Sequence, residues 1–292
     1  MWAIDGLSNF LPYAGFPLLL FVPASILMCR RALVAVAVVP FIAWLFVLAT
    51  PQFFLTLAED AAAGAPTLRV VTANVLMSNE NLDTLAAEVL AEAPDVVVFQ
   101  ELTQDIDDFS PALAAAYPYR ISTDTPWVTL ASRFPLEGAR VLAIEADDRG
   151  RDLLTAAVEV DGQRVTVIAV HLMPPLNGEA YRINAQQRAL LEAESDRVQG
   201  PLVVLGDFNA TTLSPTFAQL LIGTDLRIAA ESRSIEPTYF AYGRLGVRID
   251  HVLVRSLGIA GERVFSLTGS DHRGVAVELS LPTDSTATAA AR

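Results

Sequence analysis

Two long, uncharged apolar runs near the N-terminus constrain the fold of this chain more than any other feature. The first is FLPYAGFPLLLFVPASILM at residues 10–28, and the second is ALVAVAVVPFIAWLFVLAT at residues 32–50, which PQFFLTL extends. Each run is about as long as the roughly 20 residues needed to cross the ~30 Å hydrocarbon core of a bilayer. Only the residues CRR separate them. We therefore expect residues 1–58 to form a two-helix transmembrane hairpin.

The charges that flank the runs predict how this hairpin faces. Basic residues favour the cytoplasmic side of a membrane, so Arg30 and Arg31 are expected in the cytoplasm. The N-terminus and the rest of the chain, which begins with Glu59 and Asp60, then face outward. The expected location is the cell membrane, multi-pass, with an extracytoplasmic domain. Membrane lipid is the expected partner of the hairpin, and no protein partner is evident.

Two other interpretations of the apolar region remain open. The first is a signal peptide that uses the two arginines as its basic region and is cleaved near AAAGA at residues 61–65. Its apolar part would be much longer than the usual 7–15 residues or so. The second is a pair of buried core helices, although the first run contains three prolines and neither run has a polar face.

The composition of the remaining chain limits what it can bind. Residues 59–66, EDAAAGAP, are interpreted as a linker, residues 67–281 as one domain, and residues 282–292 as a disordered tail. The net charge of −13 disfavours a protein that binds duplex nucleic acid through a broad basic face. A local cationic cleft or a bound metal ion remains compatible with it. Because the chain has a single cysteine, oxygen or imidazole must hold any such metal.

From residue 67 onward, short β-branched runs alternate with helical patterns, which predicts mixed strands and helices. An Asp-Gly pair at residues 161–162 is the strongest hairpin signal. The C-terminal third is interpreted as strands with little room for helix. A sheet-on-sheet core with helices outside therefore fits better than a simple parallel sheet. Earlier strands are predicted at 68–75, 95–102, 128–136, 153–160, 163–172 and 201–211, and helices at 82–93 and 181–198.

Polar side chains recur where these apolar strands end or begin. If the strands pack side by side, their ends converge on one rim. Carboxylates and amides are hard oxygen ligands that suit Mg²⁺ or Mn²⁺. Imidazoles move protons near neutral pH, and an adjacent carboxylate orients the ring. The residues at these positions are Asn74, Glu101, His171, Asp207, Asn209, Asp250, Asp271 and His272.

Each of these positions also has a purely structural interpretation. Asn74 suits a turn, Glu101 could begin a solvated loop, and GDFNA at residues 206–210 contains turn-forming residues. Asp250 and His251 are adjacent in an alternating strand, so they should point to opposite faces. We expect Asp250 to face the cleft and His251 to be structural.

The ordered series TANV, VVVFQEL, LASRFPL, AVHL, LGDFNA, RIDHVLV and GSDHRGV resembles the endonuclease/exonuclease/phosphatase superfamily. The resemblance covers about residues 67–281. It implies an α+β fold of the deoxyribonuclease-I type, a four-layer α/β/β/α sandwich of two packed mixed sheets, here preceded by the transmembrane hairpin. The hairpin resembles that of membrane-anchored bacterial members of the superfamily.

The resemblance also implies where a metal and the nucleophile would lie. Asn74 and Glu101 help to bind the metal, with Glu101 as its most direct ligand, and Asp271 lies near it. Asp207 and Asn209, from GDFN, position the nucleophilic water and the scissile phosphate.

Further roles follow from the same resemblance. His272 acts as a general base or as an imidazole that contacts phosphate, and Asp250 orients it. His171 contacts the phosphate and serves as acid. Ser132 and Arg133 match a structural element of the family.

The implied function is that of a membrane-anchored phosphodiesterase that uses Mg²⁺, or Mn²⁺ in its place. It would hydrolyse a phosphodiester of nucleic acid or of a phospholipid headgroup by in-line attack of water. The alternative is a non-catalytic, membrane-anchored binding module that keeps the fold. Such a module would be expected to lack a metal carboxylate or an imidazole, and this chain lacks none of those named above.

Overall fold

The computed structural model describes residues 2–15, 17, 23–24, 26–27, 38–46, 55–124, 127–144, 152–231, 236–241 and 245–283. Much of the predicted hairpin at 1–58 and most of the predicted tail at 282–292 lie outside the described residues. Among the residues that are described, no helix combines the length and the apolar character needed to cross a membrane.

The described chain forms helices of four to 20 residues, interspersed with strands. Residues 38–46 are also helical. The helices are α1 (Trp2–Ser8), α2 (Leu11–Ala14), α3 (Leu82–Ala91), α4 (Ile106–Phe109), α5 (Pro111–Ala116), α6 (Gly178–Arg197) and α7 (Pro215–Thr224). The strands are β1 (Glu59–Asp60), β2 (Thr67–Asn74), β3 (Val96–Gln100), β4 (Tyr119–Ser122), β5 (Val128–Ser132), β6 (Glu137–Leu142), β7 (Leu153–Val160), β8 (Gln163–His171), β9 (Leu202–Asp207), β10 (Arg227–Ile228), β11 (Tyr239–Ala241), β12 (Leu245–Val247), β13 (Asp250–Arg255), β14 (Gly258–Ser266) and β15 (Arg273–Ser280).

Two large sheets carry the architecture. One has seven strands in the order β1-β14-β15-β2-β3-β5-β4, and the other has six in the order β10-β13-β9-β8-β7-β6. Each is mixed, because β2 and β3 are parallel in the first and β8 and β9 are parallel in the second, while their other neighbours are antiparallel. Strands β11 and β12 form a separate small ribbon.

Alternation along the strands divides the core into three apolar layers. Val70 in β2 and Val203 in β9 belong to the cluster between the two sheets. Val71, the next residue of β2, faces outward and packs with side chains of α3 and α5. On the far side, Val204 packs with side chains of α6 and α7. This confirms the predicted α+β sandwich of two packed mixed sheets; none of the described helices supports the hairpin predicted before it.

The structure differs from the sequence-based expectation at two places. Residues 59–66, interpreted as a linker, begin with β1, which pairs in parallel with β14, and the Ala61 N–H donates to the Ile259 carbonyl. The C-terminal third, expected to leave little room for helix, contains α7. Its start is fixed by the Ser214 hydroxyl, which accepts from the Phe217 N–H, and by a proline in the first turn.

Gly206 allows β8 and β9 to lie close enough to align the residues at their ends. Its φ is 149°, and a Cβ there would lie 1.9 Å from the Val170 carbonyl oxygen. We expect Gly206→Ala to lower the free energy of unfolding by about 2–4 kcal/mol, because overpacking and backbone strain add. Urea-induced unfolding of the full chain in detergent would measure the change.

Gly162 provides a matched control for this substitution. It lies in the Asp-Gly turn between β7 and β8 and has φ 76°, and a Cβ there would meet no atom within 4 Å. Gly162→Ala should cost only backbone strain, about 1–2 kcal/mol. A smaller loss at Gly206 than at Gly162 would contradict the role given to the contact with Val170.

Candidate functional site

The residues at one end of both sheets point into the space between the sheets. In β2 and β9, the alternate residues Val70 and Val203 lie in the inter-sheet core, so the same alternation turns Asn74 and Asp207 inward. Asp207 is the register partner of His171 on one side and of Asp250 on the other. Side chains from both sheets therefore meet at this end of the sandwich.

Asn74 links the acidic groups of the two sheets. Its Nδ2 donates to Glu101 Oε1 at 3.3 Å and to Asp207 Oδ2 at 3.2 Å. Its Oδ1 accepts from the Leu76 N–H, so the amide nitrogen faces the carboxylates. Glu101 also accepts from the Met77 N–H at 3.3 Å. The backbone of Glu101 has φ 59°, a left-handed conformation that turns the chain just after β3.

His272 and Asp250 form a buried pair beside these carboxylates. The Nδ1 of His272 lies 2.9 Å from Asp250 Oδ2, and its Nε2 lies 3.9 Å from Asp207 Oδ2. Burial alone would lower the pKa of His272. The negative charge of Asp250 and its hydrogen bond to the ring outweigh that effect and raise the pKa to about 9. The imidazole is therefore protonated at neutral pH in the metal-free protein.

The pKa of the Asp207 carboxyl group is raised by its surroundings. Burial raises its pKa, and the charge of the neighbouring Asp250 raises it further, to about 7. His272 and the N–H of Asn209 oppose the shift. The carboxyl group can therefore exchange a proton near neutral pH, as a general base must.

Asn209 and His171 complete the rim. Asn209 has φ 50°; its N–H donates to Asp207 Oδ1 at 2.8 Å, and its Nδ2 donates to the Leu172 carbonyl at 2.8 Å. The Nε2 of His171 lies 3.6 Å from Asp207 Oδ2 and 3.9 Å from Glu101 Oε1. Both residues thus contact or face the carboxylate at the centre of the cleft.

Asp271 differs from the other predicted site residues. Its side chain is exposed, and no hydrogen bond from a described residue reaches its carboxylate. Its main-chain carbonyl accepts from the Phe240 N–H instead. The structure thus places Asp271 beside His272, at the edge of the cleft and not among the buried ligand atoms.

Ser132 and Arg133 lie away from the cleft and have structural contacts. The hydroxyl of Ser132 accepts from the Phe134 N–H at 2.9 Å. The guanidinium of Arg133 lies 3.7 Å from the Asp95 carboxylate and 5.8 Å from the centre of the Tyr117 ring. These contacts hold the end of β5 to the loop before β3.

His251 points away from the cleft, as strand alternation predicts. Its ring is buried between Phe208 and Phe217, with centroid distances of 5.7 and 4.6 Å, and its Nε2 lies 3.0 Å from the Ala210 carbonyl. Burial, assisted by the positive charge of Arg248, lowers the pKa of His251 to about 3.

His251 should make the protein less stable in mild acid. Between pH 6.5 and about 3 the unfolded chain binds a proton that the folded ring does not, so stability falls as pH falls. We expect His251→Gln to be less stable than the wild type at pH 7.5, since it loses ring contacts. The wild-type advantage should shrink by about 1.4 kcal/mol per pH unit below 6.5. Urea unfolding from pH 7.5 to 5 would measure it, and a constant difference would contradict a neutral buried ring.

The sequence of this domain matches a known protein family. A family model described as the endonuclease/exonuclease/phosphatase family matches residues 71–272, which include every residue of the cleft named above. The chain belongs to the endonuclease/exonuclease/phosphatase family. No curated protein matches the chain.

Solved structures of the endonuclease/exonuclease/phosphatase fold resemble the domain. An endonuclease/exonuclease/phosphatase from Beutenbergia cavernae DSM 12333 is 25% identical, with a TM-score of 0.61, covering 74% of this chain and 72% of that one. Sphingomyelinase C from Streptomyces griseocarneus is 21% identical, with a TM-score of 0.54 and coverage of 73% and 99%. The 3′ phosphatase NExo from Neisseria, bound to a product DNA hairpin, is 24% identical, with a TM-score of 0.59 and coverage of 72% and 98%. The latter two show the shared fold.

The cleft of this endonuclease/exonuclease/phosphatase family member fits a divalent metal, which enzymes of the family generally use. Glu101, Asp207 and Asp250 bring three carboxylates together, and no described Arg side chain donates to any of them. Asp250 Oδ1 is buried and accepts no hydrogen bond from a described residue. Asp207 and Asp250 also offer carboxylate oxygens within 4.8 Å of each other. Hard oxygen donors with excess negative charge are what such a cation requires.

Two supporting residues of this family site were not anticipated from the sequence. The Ser270 hydroxyl donates to the Asn74 carbonyl at 2.7 Å and accepts from the His272 N–H at 3.0 Å, which joins the two neighbouring strand ends at the cleft. The Thr238 hydroxyl accepts from the Asp250 N–H at 3.1 Å. Ser270 could have been found from its position two residues before a histidine, which is typical of a side-chain turn. Thr238 has no such local signal.

Proposed function

We propose that this protein is a Mg²⁺-dependent phosphodiesterase that hydrolyses phosphate ester bonds by in-line attack of water. The proposal depends mainly on one observation: a carboxyl group that can accept a proton and a positively charged imidazole lie side by side in one cleft. Asp207 has a pKa near neutrality, and His272, 3.9 Å away, has one near 9. A base and a cation held side by side suit the hydrolysis of an anionic ester.

Asp207 is the proposed general base. It accepts a proton from the attacking water as the water oxygen forms its bond to phosphorus. His272 contacts a non-bridging oxygen of the phosphate with Nε2, and its positive charge offsets the charge that develops there. Asp250 keeps the ring oriented through Nδ1 and stabilises its protonated form.

Asn209 and His171 position the phosphate from the other side of Asp207. The Asn209 N–H donates to Asp207 and its side-chain amide donates to the Leu172 carbonyl, and together these bonds fix Asn209 at the edge of the cleft. His171, held against the same carboxylate, supplies a proton to the oxygen that leaves when its bond to phosphorus breaks. One phosphorus–oxygen bond forms and one breaks. Asp207 takes a proton from the water, and His171 gives one to the leaving oxygen.

Glu101 is the proposed main metal ligand. Asn74 supports it through its amide nitrogen, because its Oδ1 faces the Leu76 N–H. When bound, Mg²⁺, or Mn²⁺ in its place, would supply positive charge that polarises the phosphate and offsets the charge of the leaving oxygen. In the metal-free protein the hydrogen bonds of Asn74 and Met77 hold Glu101 in place at the mouth of the cleft. Asp271, which lies outside this group, would act on the site through its charge only.

The proposed location is a membrane, with the domain outside the cytoplasm. The N-terminal segment and the chain after residue 55 both contact the domain, which is compatible with a hairpin whose two ends lie on the same side of a membrane. Asp5 bonds to Ser214, and Leu57 pairs with Ile228. Large apolar side chains are also exposed in the described parts of residues 1–58, namely Trp2, Ile4, Leu7, Ile26, Leu27, Val39, Ile42, Leu45 and Phe46.

A substrate panel on the full chain in detergent micelles would test the proposal. The arms are plasmid DNA, single-stranded RNA, sphingomyelin and phosphoinositide vesicles, each with Mg²⁺ and with EDTA. We expect Mg²⁺-dependent cleavage of at least one diester. A preference for the lipid arms would assign the headgroup as substrate, and a preference for DNA or RNA would assign nucleic acid. Cleavage of none would overturn the proposal.

The proposed orientation has a separate test. Protease added to intact cells should cut the domain, and the fragments should be detected with an antibody to a C-terminal tag. Full protection in intact cells together with cleavage after lysis would overturn the outward orientation.

A further inference from the structure

The N-terminal segment, residues 2–15, packs directly against the loop that carries the proposed catalytic residues. Asn9 is buried and uses both ends of its amide on that loop. Its Nδ2 donates to the Asn209 carbonyl at 3.2 Å, and its Oδ1 accepts from the Thr211 N–H at 2.8 Å. One side chain, about 200 positions away in sequence, thus bonds to the backbone on both sides of Ala210.

Two further contacts hold this segment in place. The carboxylate of Asp5 is buried and accepts from the Ser214 hydroxyl at 2.7 Å, from the Thr216 N–H at 3.2 Å, and from the Thr216 hydroxyl at 2.8 and 2.9 Å. These groups lie at the start of α7, where a negative charge is favourable. The Tyr13 hydroxyl donates to the Gly246 carbonyl at 2.6 Å.

The backbone that Asn9 holds is not the relaxed backbone of a strand. Asn209 has φ 50°, in the left-handed region that asparagine can adopt, and hydrogen bonds from three sides hold it there. Its N–H, side chain and carbonyl are held by Asp207, Leu172 and Asn9 in turn. Removal of Asn9 would leave the N–H of Thr211, a buried residue, without its partner, and the loop would have to shift to reach another.

We propose that Asn9 is a positioning residue for the hydrolytic reaction, and that the N-terminal segment completes the active-site loop from outside the sandwich. The inference rests on the proposed function for its effect on rate. Its consequence is that residues 2–15, which include the start of the first apolar run, are part of the catalytic unit, so a fragment that begins at residue 66 would have a misplaced Asn209.

The test compares Asn9→Ala with Ser8→Ala in the full chain. Ser8 is the neighbouring residue, and its hydroxyl bonds, among the residues that the structure describes, only to the Asp5 carbonyl within α1, at 2.6 Å, so it is a matched control. With bis-p-nitrophenyl phosphate and Mg²⁺, Asn9→Ala should lower kcat by about tenfold to 100-fold, since small misplacements of a reacting group cost that much. The KM should change by less than about threefold. Ser8→Ala should match the wild type in both.

Hydrogen exchange provides a readout that does not depend on activity. Peptides that span residues 207–213 should exchange faster in Asn9→Ala, and also in Asp5→Ala, which releases the segment at its other contact. Peptides from β8 and β15 should be unchanged, which would exclude global unfolding.

The outcomes separate this inference from the proposed function. An active wild type with unchanged kcat in Asn9→Ala would overturn the inference and leave the function standing. A wild type that hydrolyses no substrate would overturn the proposed function. In that case, unchanged hydrogen exchange at residues 207–213 in Asn9→Ala would also show that Asn9 does not hold the loop.

Discussion

Asp207→Asn should abolish hydrolysis and, in the absence of metal, make the protein more stable. The substitution removes the proposed base, so kcat should fall by about 1,000-fold or more. It also removes a buried negative charge that Asp250 and Glu101 oppose. The folded pKa is raised from 3.8 to about 7, so the folded carboxyl binds more protons than the unfolded one within that window. Wild-type stability therefore falls as pH rises through it.

The melting temperature in EDTA measures the second effect. Asp207→Asn should melt above the wild type at pH 8, and the gap should narrow towards pH 4. Asp225→Asn is a matched control, because Asp225 is exposed and has φ 54°, a conformation that asparagine also adopts readily. It should alter neither rate nor melting temperature. An Asp207→Asn protein that keeps a tenth of the wild-type rate, or melts below the wild type at pH 8 in EDTA, would contradict the role of this carboxylate.

His272→Gln should lower kcat by about 1,000-fold, because it removes the cation that faces the phosphate. Asp250→Asn should lower kcat by about 100-fold, because it leaves the ring in place without the charge that keeps it protonated. The double variant should be no slower than His272→Gln alone, because Asp250 acts through the ring that is already lost. Steady-state rates for all three would measure the coupling, and additive losses would give Asp250 a separate role.

The control for His272 is the same substitution at the other buried histidine of the C-terminal region. His251→Gln replaces a ring that packs on Phe208 and Phe217 and faces away from the cleft. The glutamine amide can still donate to the Ala210 carbonyl, so the loop keeps this contact and kcat should stay within about threefold of the wild type at pH 7.5. A loss as large as that of His272→Gln would contradict the division of these two histidines into a site residue and a core residue.

Much of the cleft could be predicted because its geometry follows from strand periodicity. Because side chains alternate between the two faces of a strand, the sequence alone predicted that Asp250 points inward and His251 outward. The turn residues Asp161 and Gly162 predicted the hairpin between β7 and β8, and both have positive φ.

Other features depend on contacts between distant parts of the chain, which local patterns do not encode. Asp271 adjoins His272 in sequence, but the turn that buries the histidine leaves the aspartate exposed. The contact of Asn9 with Asn209 joins residues from distant parts of the chain. The residues around Asn9 are mostly apolar, so the sequence pattern suggested a membrane segment and not a contact with the site. Strand β1 is two residues long and gains its place from pairing with β14, so its small acidic segment looks like a linker in isolation.

Hydrolysis of bis-p-nitrophenyl phosphate by the full chain most directly tests whether this cleft is a metal-dependent phosphodiesterase site. We expect p-nitrophenolate to be released with Mg²⁺, to stop with EDTA, and to resume when excess Mg²⁺ is restored. Asp207→Asn should release none above background under any of these conditions. A rate that persists in EDTA, or one that is equal in the wild type and Asp207→Asn, would contradict the assignment of this cleft as a metal-dependent phosphodiesterase site.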